Sequence, residues 1–174
     1  MKSVKKFAVS ALFISVAFLL SFIKFIRLPF GGSITLFSML FVALPGYFYG
    51  VRTGFMASFA YSLLHLTTDF YVIHPMQLML DYIFAFTCLG ITGFFRNKNN
   101  GLQIGYILGC ILRFISSSLS GYIFFKEYAP ETWNPLVYTV AYNGSYIFTE
   151  CVLTIIVLNV GAVKSFIKEM KKKV

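Results

Sequence analysis

Charge is scarce in this chain. Of its 174 residues only 12% are Asp, Glu, Lys or Arg, whereas 58% are hydrophobic. A water-soluble domain needs far more charge to cover its surface, so the composition excludes one. Tryptophan occurs once, at Trp133, and cysteine three times, with no CxxC spacing. Cys88, Cys110 and Cys151 all fall inside apolar runs and read as packed free thiols, not as disulfide or metal ligands. The two histidines, His65 and His74, form no HxxxH or HExxH pattern, which argues against a metal site. There is no GxxxxGK[ST] loop, so the chain does not itself hydrolyse nucleotide. Ser116, Ser117, Ser118 and Ser120 cluster, but without the GxSxG elbow of a serine nucleophile. Internal repeats and low-complexity stretches are also missing. No cofactor is expected.

What remains is apolar sequence in long runs. Six stretches are candidates to cross a bilayer: 7–26, 36–50, 53–68, 76–95, 104–125 and 135–162. The second and third are short and joined only by a turn at Val51-Arg52. The expected fold is an all-α membrane protein, a single six-helix bundle over 1–174 with no second domain. The first run, behind Lys2, Lys5 and Lys6, is too long for a signal-peptide core and lacks a clear cleavage site, so it reads as a retained helix.

A net charge of +9 could suggest nucleic acid, but its placement points to a membrane. If six helices alternate, Lys2, Lys5, Lys6, Arg52, Arg96, Lys98, Lys164, Lys168, Lys171, Lys172 and Lys173 fall on one side. Lys24, Arg27 and Lys126 fall on the other. This positive-inside pattern puts both termini in the cytoplasm, and the basic tail reads as a topology signal in contact with anionic lipid.

Against this background Asp81 stands out, about a turn and a half into the helix after His74-Pro75. A carboxylate at membrane depth costs roughly 2.5–3.5 kcal/mol or more, so it is normally paired, facing a cavity, or held for a cationic ligand. Helix rise places other polar and aromatic residues at similar depth: Tyr82, His65, Ser117, Gly121, Phe125, Tyr138 and Asn143 all fall within roughly 12 Å of the outer surface. Ser117, Gly121 and Phe125 are spaced by four and share one helix face. One outward-opening cavity is consistent with these depths. A second polar pair lies deeper, Arg113 and Glu150, with depths that differ by roughly 4.5 Å. An unpaired charge there is expensive, so an Arg113–Glu150 ion pair locking two helices is expected.

Three outer connections join the runs. Residues 27–33 are long and glycine-bearing, suited to a flexible flap. Residues 69–75 carry Tyr71 and His74, and residues 126–134 carry Tyr128, Pro130 and Trp133. Interfacial Tyr and Trp commonly serve as membrane anchors. In the first run Ala11 and Ser15, like Ala17 and Ser21, are small residues four apart. Such pairs let another helix approach closely, either within this bundle or from a separate membrane protein.

In order and spacing these residues resemble the thiamine-specific substrate-binding (S) component of energy-coupling factor (ECF) vitamin transporters. The resemblance rests on Leu28-Pro29-Phe30-Gly31-Gly32-Ser33-Ile34-Thr35, on the segment from His74 to Tyr82, and on Arg113-Phe114 followed by Ser120-Gly121. It continues through Tyr128-Ala129-Pro130 and Tyr138 to Tyr142-Asn143-Gly144. It implies a six-helix protein of a bacterial plasma membrane that binds a vitamin near the outer face, beneath a lid formed by the first outer loop. It also implies partners: a transmembrane coupling protein docking on Ala11 and Ser15, and two cytoplasmic ATPases. Asp81, Tyr82, Ser117, Gly121, Phe125, Tyr138 and Asn143 match the family's substrate-binding positions. Asp81 stands where the family has glutamate, Ser117 where it has histidine, and Phe125 where an aromatic, often tryptophan, stacks on the ligand.

Thiamine is a cationic thiazolium joined to a flat aminopyrimidine, and a carboxylate, aromatic faces and an asparagine amide suit its charge, faces and edges. Other readings stay open on the residues. One is an S component for another vitamin or a thiazole or pyrimidine precursor. Another is an intramembrane enzyme using His65, His74 and Asp81 as acid–base groups. A third is an assembly protein in which Asp81 and Asn143 pair with neighbouring helices.

Overall fold

A computed structural model describes residues 2–68 and 72–173. Asp69 and Tyr71, expected in the second outer connection, lie outside the described residues. The chain is predominantly helical. Helix α1 spans Lys2–Ser21, and a hairpin of β1 (Lys24–Arg27) and β2 (Ser33–Thr35) follows it. Then come α2 (Ser38–Tyr49), α3 (Val51–His65), α4 (Pro75–Phe95), α5 (Gly101–Phe124), α6 (Pro135–Asn159) and α7 (Gly161–Lys172). Among the described residues, four stretches are long and apolar enough to cross a membrane: Val4–Ser21, Pro75–Phe95, Gly101–Phe124 and Pro135–Asn159. Large apolar side chains face outward along these helices, among them Leu12, Leu19, Ile115, Val152 and Ile156. In water such a surface would drive aggregation, whereas lipid tails cover it at no cost.

The expected first helix ran five residues too far. It ends at Ser21, and residues 24–26 belong to β1, which pairs antiparallel with β2 in the register Lys24↔Thr35, Ile26↔Ile34 and Arg27↔Ser33. A short run such as Phe22-Ile23-Lys24-Phe25-Ile26 is apolar enough for either element, and periodicity cannot separate them. The last apolar run also breaks earlier than expected. Val160 adopts an extended conformation (φ −63°, ψ 127°), and α7 starts afresh beyond it.

The turn expected at Val51-Arg52 lies one residue earlier. Gly50 has φ +91°, a conformation that glycine adopts without penalty, and this single residue reverses the chain between α2 and α3. These short helices are secured by backbone contact with α4. A Cβ added at Gly54 would lie 2.6 Å from the Gly90 carbonyl oxygen, and one at Gly90 would lie 2.6 Å from the Gly54 carbonyl carbon. Thr92 on α4 also donates a hydrogen bond to the Ala43 carbonyl on α2, at 2.7 Å. Close approach through small residues, with polar side chains between helices, is how helices adhere inside lipid.

Helix α4 is irregular in a way that matters for the site. Pro75 opens it, capped by His74, whose Nδ1 accepts from the Met76 amide at 3.1 Å. Residues Met79–Phe84 form a π-helical turn, and Cys88–Phe95 tighten to a 3₁₀ helix. The wide turn gives the Leu80 carbonyl a second donor, because Ser116 Oγ on α5 reaches it at 2.6 Å. Single π turns recur at functional sites, and this one carries Asp81 and Tyr82.

Candidate functional site

One cavity is walled by the C-terminal end of α3, the N-terminal half of α4, the C-terminal half of α5 and the N-terminal half of α6. It encloses about 90 Å³. The seven positions singled out in the sequence meet here: Asp81 and Tyr82 from α4, Ser117 and Gly121 from α5, Phe125 at its end, and Tyr138 and Asn143 from α6.

Asp81 has two polar neighbours in its wall. Gln77 Nε2 donates to its Oδ2 at 3.0 Å, and Ser120 Oγ donates to the same oxygen at 2.8 Å. A carboxylate can accept about four hydrogen bonds, so capacity remains for a ligand. Aromatic groups surround it. The His65 ring lies 4.6 Å from Phe86 and 6.1 Å from Tyr82, centroid to centroid. On the opposite wall Tyr138, Tyr142 and Tyr146 follow one another at four-residue spacing along α6, with centroids 6.2 and 5.8 Å apart.

Gly121 is needed for this wall to close. A Cβ there would come within 2.6 Å of Thr139 Cγ2 and 3.2 Å of Asn143 Nδ2, so the missing side chain lets α5 meet α6. Asn143 makes three hydrogen bonds in the wall. Its Nδ2 donates to the carbonyls of Thr139 (3.1 Å) and Ser117 (3.4 Å), and its Oδ1 accepts from the Tyr146 hydroxyl at 2.8 Å. It therefore braces two walls whatever else it contacts. Trp133 is exposed and stands outside the cavity lining.

The loop between β1 and β2 forms the roof. A 3₁₀ turn at Pro29–Gly31 closes the hairpin, Gly31 has φ +93°, and Gly31 and Gly32 line the cavity. Tyr142 holds the loop at both ends: its hydroxyl accepts from the Gly32 amide at 3.0 Å and donates to the Pro29 carbonyl. The expected flap is thus a hairpin stitched to α6. A Cβ at Gly32 would lie 2.6 Å from that hydroxyl, so the stitch requires glycine.

The expected Arg113–Glu150 ion pair is not formed; each side chain has taken other partners. Glu150 Oε2 accepts from the Thr35 amide (3.0 Å) and the Thr35 hydroxyl (2.8 Å), and Oε1 accepts from the Met39 amide (3.3 Å). Thr35 ends β2, and Met39 is in the first turn of α2, a helix whose own N-cap residue, Phe37, offers no capping side chain. Glu150 therefore caps α2 from another helix and pins the base of the hairpin. Depth counting missed this because it treated helices as the only source of donors. Arg113 instead lies over the Phe86 ring, its Cζ 4.1 Å from the centroid, and lines the cavity floor with Nε lacking a hydrogen-bond partner.

Replacing Glu150 by alanine would leave the Thr35 and Met39 amides buried without an acceptor. Such losses cost about 1–3 kcal/mol per group. We expect Glu150→Ala to lower the thermal midpoint of the purified protein clearly and to raise protease cutting within residues 24–35. A variant that melts and resists protease like the parent would contradict the clamp.

Several lining residues were not foreseen as site residues: Gln77, Phe86, Thr139, Tyr142 and Tyr146, with Arg113 expected deeper. Four-residue spacing from Asp81 and Tyr138 reaches Gln77, Tyr142 and Tyr146, so that signal was present. His65 joins the cavity, whereas His74 is committed to capping α4 and stacks on Phe124 at 5.0 Å.

Comparison with known proteins gives one consistent result. The family described as "Thiamine transporter protein" matches residues 7–169. The thiamine transporter ThiT of Bacillus subtilis is 30% identical over 148 residues, 77% of each chain. The thiamine transporter ThiT of Lacticaseibacillus paracasei is 30% identical over 102 residues, 51% of each chain. A solved structure of ThiT from Listeria monocytogenes superposes with a TM-score of 0.75 at 23% identity, covering 93% of this chain and 97% of that one, and so shares its fold.

Proposed function

The chain belongs to the thiamine transporter protein family, and we propose that it is the membrane-embedded binding subunit for thiamine uptake, the S component of an ECF transporter. It is a multi-pass membrane protein of bacterial origin and a transporter component, not an enzyme. In this reading residues 1–174 form one substrate-binding domain of six membrane helices, α1 to α6, with both termini cytoplasmic and the hairpin at the outer face.

The observation that carries the reading is Asp81, a carboxylate on the wall of an aromatic cavity closed by the hairpin. Its charge attracts the thiazolium, and low polarity around it strengthens that attraction over what water allows. Tyr82, Phe125 and Tyr138 supply faces for the two rings. Ser117 leaves room beside them, Gly121 lets α5 close on α6, and Asn143, held by Tyr146, offers the second lone pair of Oδ1 to an edge donor. Tyr142 keeps the roof down over bound ligand. The chain has no energy-capturing motif, so ATP hydrolysis comes from two cytoplasmic ATPases joined through a transmembrane coupling protein. Ala11 and Ser15 are exposed, one turn apart on α1, which supports their use as its docking face.

Calorimetric titration of the purified protein with thiamine, and with its thiazole and pyrimidine halves separately, tests this. Saturable one-to-one binding of thiamine, weaker for either half, is expected. No thiamine binding, or equal binding of one half alone, would overturn it in favour of another ligand.

A further inference from the structure

A second cavity, of about 430 Å³, lies at the far end of the bundle from Asp81. Its lining includes Leu102, roughly 22 Å along α5 from Ser117. Four lysines reach it: Lys98 from the α4–α5 connection, and Lys164, Lys168 and Lys171 from α7. Among the described residues no acidic side chain lines it. The spacing of Lys164, Lys168 and Lys171 puts them in one stripe of α7, beside the stripe of Val163, Ile167 and Met170 that packs on the core. Lys171 is fixed in place, 4.2 Å from the Tyr47 ring centroid and donating to the Arg96 carbonyl. Glu169, the one acid on α7, is outside the lining.

Neutral donors add to the charge. Asn99, Asn100 and Gln103 bring side-chain amides, and the cavity opens on the N-terminus of the 24-residue α5, the positive end of its dipole. Leu102, Leu158 and Ile167 form an apolar floor at the ends of α5 and α6. A positive rim over an apolar floor, at the edge of lipid-facing helices, matches a phosphate attached to acyl chains better than a free anion.

We propose that this cavity binds the phosphate of an anionic phospholipid headgroup, seated between Lys98 and the lysine stripe of α7. It is independent of the vitamin site, and it is more specific than the general attraction of a basic tail to a charged leaflet.

Native mass spectrometry of the purified full chain in neutral detergent, titrated with phosphatidylglycerol or phosphatidylcholine, is the test. The expected result is retained phosphatidylglycerol, not phosphatidylcholine. The Lys98→Gln/Lys164→Gln/Lys168→Gln variant should weaken retention roughly tenfold or more. Lys5→Gln/Lys172→Gln/Lys173→Gln, which removes the same charge away from the cavity, should leave retention unchanged. Equal loss in both variants would show diffuse attraction only and overturn the proposal. So would inorganic phosphate at millimolar concentration displacing the lipid completely, which would identify a free-anion site. Thermal unfolding of both variants without lipid, expected to match the parent, guards against misfolding. If the first triple variant unfolds early, single Lys164→Gln and Lys168→Gln variants must each still weaken retention or the site is rejected.

Discussion

Asp81→Asn should reduce thiamine affinity by about a hundredfold or more while leaving the fold intact. Removing one partner of a desolvated charge pair costs about 2–5 kcal/mol, and 1.4 kcal/mol corresponds to tenfold. Asparagine keeps the size of the side chain, and its Oδ1 still accepts from Gln77 Nε2 and Ser120 Oγ, which both bond one oxygen of the native carboxylate. The variant therefore loses the negative charge, and the remaining carboxylate oxygen becomes an NH2 donor, which cannot accept from a ligand or attract a cation. Titration of both proteins, with thermal unfolding as a control, provides the check. Unchanged affinity would mean that the cavity recognises its ligand by shape and stacking, with Asp81 merely structural.

The second large effect separates binding from transport. Ala11→Trp with Ser15→Trp places two indoles on an exposed face of α1, away from the cavity lining. Thiamine binding by the purified variant should stay within about threefold of the parent, since the substituted face touches neither the roof nor the site. Uptake by cells that carry the coupling protein and ATPases should fall to background, because bulky side chains prevent the close helix approach that small residues permit. Uptake at the parental rate would remove this face from the docking account. Loss of binding as well would show that α1 shapes the cavity.

Much of the architecture could be read from composition and spacing. The helices now described over Pro75–Phe95 and Gly101–Phe124, and the start at Pro135, differ from expectation by three residues or fewer. These runs are long, strongly apolar and bounded by Pro or by the Asn-rich connection at 97–100, so several signals agree. Depth along helices also gathered polar residues that line one cavity, since rise per residue hardly varies. The hairpin was not legible, because four residues of strand are too few to display a period. Nor was the π turn at Asp81, where a hydroxyl from another helix, Ser116, also reaches the Leu80 carbonyl. The partners of Glu150 were hidden as well: they are backbone amides of Thr35 and Met39, and no side-chain pattern announces them. Sequence pattern exposes what a helix presents, whereas these contacts depend on what another segment brings to it.

Tyr142 and Glu150 together give the roof two fastenings, one at the loop tip and one at the hairpin base. Both anchors belong to α6, which also carries Tyr138 and Asn143. A ligand that shifted α6 would therefore move site and roof together.

The most direct measurement compares thiamine with an analogue whose five-membered ring is neutral, on the parent protein and on Asp81→Asn. If a buried carboxylate selects the cation, the parent should prefer thiamine by about a hundredfold, and the preference should shrink to within about threefold in the variant. The same preference in both proteins would contradict the account.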